Sequence, residues 1–433
     1  MKEFNMSGNK IIYQDGWFVY VREDGRNSVL TRRAARRVEE EHFEYQAFMD
    51  VGRGGMHPDA AYAMRGFSKR KDCEYIFTAE YETEALAECG TDQQFSETLV
   101  IPEKVGDVEI TCVSSESFAG LEDLREVILP HSIRIIERGA FQDCRNLQSI
   151  QMPQNVSVQE DAFSGTGVLE TDSRGVSYVG TALVKADTSL QGEYCVREGT
   201  CSITERAFYQ CADLTSVRLP EGISRLERGT FKNCIALSKV HLPDSLQFIA
   251  FDSLENTEIA NRFWEGDEPA LYIDHWLICY KPDFSGELSI RPGTIGIADS
   301  FSTSMENREL SRIHIPQGMR YLGMGCFERC HNITQLELPE GIEDIGQSAL
   351  RGCTGLTQVV FPQSLKTLDI WNIMHCDKIE KVTFLNAETD IIWPAVTDRE
   401  DKETIVVAGY PHSTAEAYCR EYGEKYHLEF CEI

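Results

Sequence analysis

The residues able to do chemistry are few, and each has a competing duty. Cys326, Cys330 and His331 form the one Cys/His cluster with near-metal spacing, and two thiolates with an imidazole are zinc-type ligands. Cys326, however, fills a small-residue position before Phe327, and Cys330 falls three residues after it, in a position where cysteine recurs along the chain. Packing accounts for both. A catalytic cysteine needs a histidine partner in space, and no spacing here points to one. Ser, His and Asp occur throughout, but the G-x-S-x-G context of a nucleophile elbow is absent. The glycines of VGRGGMHPD (51–59) resemble a phosphate cradle only superficially: there is no G-x-G-x-x-G, and no Lys-Ser/Thr follows. The expectation is a non-enzymatic chain with no cofactor and no metal. The rival is an enzyme or regulator whose activity lies in residues 1–72, with the remainder recognising substrate.

What positions the remaining residues is a repeat. Leu124 to Phe163 contains L-x-x-V-x-L-P-x-x-I-x-x-I-x-x-x-A-F-x-x-C nearly twice, and Pro130 to Pro153, Pro220 to Pro243, Pro316 to Pro339 and Pro339 to Pro362 are each 23 residues apart. A period in the 20s with leucines at strand spacing signals a solenoid of leucine-rich repeats. Val127 and Leu129 alternate onto the buried side of a short strand, Glu126 and Ile128 onto the open side. Pro130, lacking an amide proton, stops the strand at the same place in each turn. On the return, Ile133, Ile136 and Phe141 point inward. The Phe position recurs as Phe118, Phe163, Phe208, Phe231, Phe301 and Phe327, then as Leu350 and Ile373; three residues later stand Cys144, Cys211, Cys234, Cys330, Cys353 and Cys376. Free cysteine behaves as a small buried hydrophobe, which suits a repeated inward slot.

This template resembles the BspA-type leucine-rich repeat family of bacterial and protist proteins, in which Pro follows the strand and A-F-x-x-C lies on the return. The resemblance implies a binding or adhesion role. The expected fold is a leucine-rich-repeat solenoid with short parallel strands on the concave face, irregular or 3-10 return segments, a small α+β N-terminal segment and an αβ C-terminal cap. Residues 1–72 read as a hairpin plus helix, 73–403 as the solenoid with hairpin insertions near 168–190 and 268–285, and 404–433 as the cap.

Within 1–72, strands are expected at Lys10 to Tyr13 and Trp17 to Arg22, and a helix from Thr31 to Met49. That helix opens with Arg32, Arg33, Arg36 and Arg37, like charges at i,i+4 placed at the positive end of the helix dipole. Glu39 to Glu41 or an acidic surface compensates. Residues 1–72 hold 13 basic and 11 acidic side chains, leaving −30 for the rest, so this segment is expected to dock on the solenoid through the Arg32 to Arg37 face. A capping strand is expected at Tyr75 to Tyr81. The hairpins around Tyr178 and Trp276 either widen two coils or project as binding loops. In the tail, a strand at Thr404 to Val407, a helix capped near Ser413 and stopped by Gly423, and a strand at His427 to Phe430 are expected.

With 42 Lys+Arg against 70 Asp+Glu the net charge is −28, which argues against nucleic acid or an anionic membrane as unaided partners. Fifteen cysteines would fit a disulfide framework in a short secreted chain, but six in one core slot favour free thiols. The start, MKEFNMSGNKIIYQDGWF, has no apolar run of signal-peptide type, and no later stretch reaches the ~18 apolar residues of a membrane span. Taken literally this places a monomer in the cytoplasm; the family resemblance implies the cell surface or secretion. The open face of the strands is the default binding surface of a solenoid. In the eight best-defined strands its outward positions hold Arg218, Lys239, Arg312 and Lys381, with His241 and His314, against Glu126 and Glu337. A partner protein or an anionic glycan is the expected ligand.

Overall fold

The computed structural model of the chain describes residues 2–6, 9–14, 17–22, 25–30, 97–282, 285–300, 309–392 and 404–433. The helix expected from Thr31 to Met49 with its Arg32 to Arg37 face, the strand at Tyr75 to Tyr81, and Phe301 of the repeated slot lie outside the described residues. Two compact units divide the chain, Met1–Glu170 with Tyr178–Val184, and Thr171–Ser177 with Lys185–Ile433.

In the first unit, strands Thr98–Val100, Glu126–Ile128 and Ser149–Gln151 form a parallel ladder in which Leu99, Val127 and Ile150 stand side by side. The Leu129 N–H donates the last bond, to the Gln151 carbonyl at 2.8 Å; Pro130 then ends the strand. A second parallel ladder lies on the return, Cys112–Val113, Ile135–Ile136 and Ser157–Val158, so each coil is pinned twice. Between the ladders the repeated phenylalanines stack at the coil spacing, Phe118 on Phe141 at 5.6 Å and Phe141 on Phe163 at 5.5 Å between ring centroids.

The N-terminal strands belong to this construction. Lys2–Met6, Asn9–Gln14, Trp17–Val21 and Ser28–Leu30 form an antiparallel meander, and Ser28 then pairs in parallel with Cys112. The meander thereby extends the return ladder and covers the first coil, whose core would otherwise face water. Val19, Val29 and Leu30 are fully buried. Glu137, also buried, receives Arg22 at 2.7 Å, Arg26 at 3.4 Å and the Ser115 N–H at 3.1 Å, the pairing that a buried carboxylate requires.

In the second unit the strand ladder runs through Gly192–Cys195, Leu214–Arg218 and Lys239–His241. Gly286–Ser289 pairs with Leu310–His314; Gln335–Glu337, Gln358–Phe361, Lys381–Phe384, Ile405–Gly409 and Leu428–Glu432 make a five-stranded parallel sheet. Two turns of this unit share a clamp. Glu221 accepts the Asp244 and Ser245 amides, each at 3.1 Å, while Ser245 Oγ takes the Gly222 N–H at 2.9 Å and donates to the Ile223 carbonyl at 2.9 Å. Glu340 and Ser364 repeat every bond of it, on Gln363, Ser364, Gly341 and Ile342. The sequence pair P-E-G-I in one turn and P-x-S-L in the next is its signature. Clamping satisfies turn amides that lie outside both ladders.

The inserted hairpin, Ala270–Ile273 with Trp276–Tyr280, is built into the coil: Trp276 and Leu277 pair in parallel with Gly296 and Ile297. Trp276 is 1% exposed and stacks on Tyr321 at 6.1 Å. Helix Glu258–Glu265 precedes it, capped by Thr257. At the C-terminus Ser413 caps helix Thr414–Tyr426. The stop expected at Gly423 falls instead at His427, which takes the left-handed conformation with φ 55°. Gly423 stays inside the helix because a Cβ there would stand 2.9 Å from the Leu428 carbonyl oxygen; it admits the returning strand. Among the described residues no helix is long and apolar enough to cross a membrane.

Candidate functional site

The repeated cysteines are structural. Cys144, Cys211, Cys234, Cys330, Cys353 and Cys376 are all buried free thiols. Cys144 Sγ donates to the Phe118 carbonyl at 3.0 Å, Cys234 to Phe208 at 3.0 Å, Cys353 to Phe327 at 3.2 Å and Cys376 to Leu350 at 3.3 Å. Each thiol thus ties its coil to the carbonyl of the Phe position one turn earlier, a weak bond that an alanine of similar bulk could not make. Cys330 meets the Tyr280 hydroxyl at 3.7 Å, and that hydroxyl donates to the Cys326 carbonyl at 2.9 Å. Burial pushes the Cys330 thiol up to about 12 and holds Cys326 and Cys353 well above the ordinary range. His331 Nδ1 is engaged with Thr354 Oγ1 at 2.9 Å. Among the described residues no group of three or more His, Cys, Asp or Glu stands in a metal-holding arrangement.

The open strand face remains. In the second unit its outward side chains form two rows in register: Glu193, Ser216 and Lys239 in one, Cys195, Arg218 and His241 in the other. Arg218 and His241 are therefore neighbours on adjacent strands, and Lys239 flanks them. Arg312 and His314 share the strand Leu310–His314, where both are held by Glu287, at 3.3 Å and 3.0 Å; these two partners, His314 first, lower the Glu287 pKa. Lys381 lies in a separate sheet, between Gln358 and Val406.

Strands Gly192–Cys195 and Gly286–Ser289 follow the inserted hairpins and Leu428–Glu432 follows the C-terminal helix, and their outward residues change the electrostatics. Within the second unit Glu193, Glu287 and Glu429 join Glu337, so that four carboxylates share the outward positions with Arg218, Lys239, Arg312 and Lys381. The face is balanced in sign, not basic. Its charge is near neutral only because the acidic excess of the chain lies elsewhere.

One cleft of about 430 Å³ opens at the ends of strands Leu214–Arg218 and Lys239–His241. Arg218 and His241 line it together with Asp274 and His275, at the tip of the inserted hairpin. The tip is fixed in place: the Leu242 N–H donates to Asp274 Oδ2 at 2.7 Å, Arg291 donates to the Asp274 carbonyl, and His275 Nδ1 lies 3.1 Å from the Gly293 carbonyl. Elsewhere the amide equivalent to Leu242, as at Leu219 and Leu338, bonds to the next strand. Asp274 supplies a carboxylate where that strand is missing. Neither Asp274 nor His275 carries a repeat signature, so the sequence gives no sign of their place beside Arg218.

Two ladders of short parallel strands, a stacked aromatic core and caps at both ends define a leucine-rich-repeat scaffold. The chain belongs to the BspA type leucine rich repeat family, whose model matches six copies over residues 92–181, 198–266 and 298–394. No curated protein matches the chain. Among solved structures, a leucine-rich repeat protein from Bacteroides ovatus is 16% identical, with 70% of this chain and 94% of that one covered at a TM-score of 0.22. A leucine rich cell surface protein from Faecalibacterium prausnitzii is 19% identical, covering 67% and 88% at 0.24. A leucine-rich repeat protein from Eubacterium ventriosum is 18% identical, covering 72% and 73% at 0.30. Superpositions at these scores say nothing about what this chain binds.

Proposed function

We propose that the chain is a non-enzymatic interaction module that holds a partner protein on the open strand face, with Arg218, Lys239, His241 and Lys381 contributing directly and Arg312 and His314 through their shared pairing with Glu287. The observation that carries this reading is the register of polar side chains on that face, set against a repeat that spends its large apolar residues on its own core. Mixed sign fits the mixed surface of a protein better than the uniform charge of an anionic glycan. The meander of residues 2–30 is committed to covering the first coil, which argues against an N-terminal activity carried by those strands.

The test is a paired charge reversal, Arg218→Glu with Lys239→Glu, on binding of a partner recovered by affinity capture and then purified. Single exposed charges contribute under ~1 kcal/mol, so the pair is needed. Slower association and a shallower salt dependence are expected. Normal binding by the pair, with loss on substituting the hairpin tip at Asp274 and His275, would move recognition to the insert.

A further inference from the structure

We infer that the outer edge of the last strand, Leu428–Glu432, is a docking site for an extended basic segment of a partner protein, which adds to the five-stranded parallel sheet as one more strand. This goes beyond the strand-face reading, because it uses main-chain groups at the edge of the sheet and not side chains on its open face. Pairing at this edge alternates along the chain. The Ile405 N–H donates to the His427 carbonyl at 2.9 Å and the Ile433 N–H to the Gly409 carbonyl at 3.1 Å. In the register that runs from Ile405 opposite Leu428 to Gly409 opposite Glu432, the main chain of Glu429 and Cys431 therefore turns toward the preceding strand. Phe430 and Glu432 present theirs outward. Among the described residues the Phe430 N–H and carbonyl and the Glu432 N–H have no partner, and the Glu432 carbonyl has only the Cys431 thiol, at 3.6 Å.

Helix Thr414–Tyr426 closes the end of the core, with Ala415 and Cys419 buried in it, but the edge beside it lacks the usual protection. It is five residues long in unbroken register, without proline, lysine or a bulge, and such an edge is a template for a further strand. Its one guard is a pair of exposed carboxylates, Glu429 and Glu432, and these decide the occupant. A second copy of the chain would bring the same two carboxylates and a net charge of −28, so it is repelled. A basic segment is attracted by both. Glu429 and Glu432 are three residues apart and project from opposite faces of the strand, so the matching segment carries Lys or Arg at i and i+3. An apolar residue beside Phe430 extends the half-buried row that Phe430 adds to the core.

The experiment uses the full chain and a fluorescein-labelled TKVTKV peptide, whose lysines fall beside Glu429 and Glu432 when it runs parallel to the strand. Binding is read by anisotropy and by amide hydrogen exchange resolved to single residues. The peptide is expected to slow exchange at Phe430 and Glu432 and to leave Glu429 and Cys431, already bonded within the sheet, unchanged. N-methylation of its second threonine removes the donor to the Phe430 carbonyl, and Glu432→Pro removes an edge N–H that the sheet itself does not use. Each should weaken binding about 5-fold or more, whereas Glu432→Gln, which removes the charge alone, should cost about 2-fold. Glu429→Lys with Glu432→Lys should reverse the preference, so that TEVTEV binds and TKVTKV does not. No binding, binding without protection of Phe430 and Glu432, or a Glu432→Pro variant that binds as well as wild type overturns the inference. Protection of Phe430 and Glu432 that grows with protein concentration in the absence of peptide would make a second copy the occupant and overturn the assignment to a basic segment.

Discussion

Phe141 has a stacked ring on each side, so its loss opens two coil interfaces at once. Phe141→Ala is expected to destabilise the first unit by roughly 3–5 kcal/mol, transfer plus cavity, measured by urea unfolding; a loss under ~1 kcal/mol would mean that the stack carries little energy. Asp299 offers a test by proton linkage. It is 7% exposed, accepts the Met324 N–H at 2.7 Å, and burial raises its carboxyl to about 6, with Arg225 lowering it and Glu227 and Asp344 opposing that. The unfolded carboxyl titrates near ~3.9, so the native state keeps the proton longer. Its cost to stability is full above pH ~6 and disappears as pH falls toward ~4. Asp299→Asn, which keeps an acceptor for Met324, should raise the melting temperature at pH 7.5 and flatten stability between those values; equal melting temperatures would refute this. The Phe and Cys positions were legible from the 23-residue beat alone, because burial is periodic. The thiol-to-carbonyl bonds were not, since a partner 26 residues back has no sequence mark of its own.

At the scale of elements, the clamps show how consecutive turns are locked. Ser364→Ala leaves the half-buried Gly341 amide without its acceptor and should cost about 1 kcal/mol or somewhat more, with Ser245→Ala costing less because the Gly222 amide is exposed to water. Amide hydrogen exchange at Gly341 should accelerate in the first variant, and unchanged exchange would remove the clamp from the account. Some elements escaped the sequence. The expected hairpin strands of the N-terminal segment form, but only the structure shows them continuing the return ladder, because that pairing joins Ser28 to Cys112 across 84 residues. Gly423 looked like a helix stop, and its role is instead close approach of the Leu428 carbonyl. Tyr178 and Trp276 suggested recognition by the inserts, yet both are buried; period analysis cannot tell an aromatic that enters the core from one that projects.

At the scale of the whole molecule, family and solenoid were legible because every repeat states them again, whereas the outward residues of the open face were legible only on the eight best-defined strands. The missed carboxylates, Glu193, Glu287 and Glu429, sit on strands that follow the inserted hairpins or the C-terminal helix, where a repeat template has no register to offer. Burial of the cysteine slot predicts that thiol titration of the native chain labels few cysteines, with Cys195 and Cys431 the exposed ones among the described residues, and that denaturation without reductant releases many more. Few reactive thiols after such denaturation would indicate disulfides and an oxidising compartment. The claim that a partner sits on the strand face is tested most directly by lysine footprinting of the complex. Lys239 and Lys381 project from that face, and Lys366 is exposed beside the return strand Thr367–Asp369. Bound partner should slow acylation of Lys239 and Lys381 and leave Lys366 unchanged. Protection of Lys366 with Lys239 and Lys381 still reactive would contradict it.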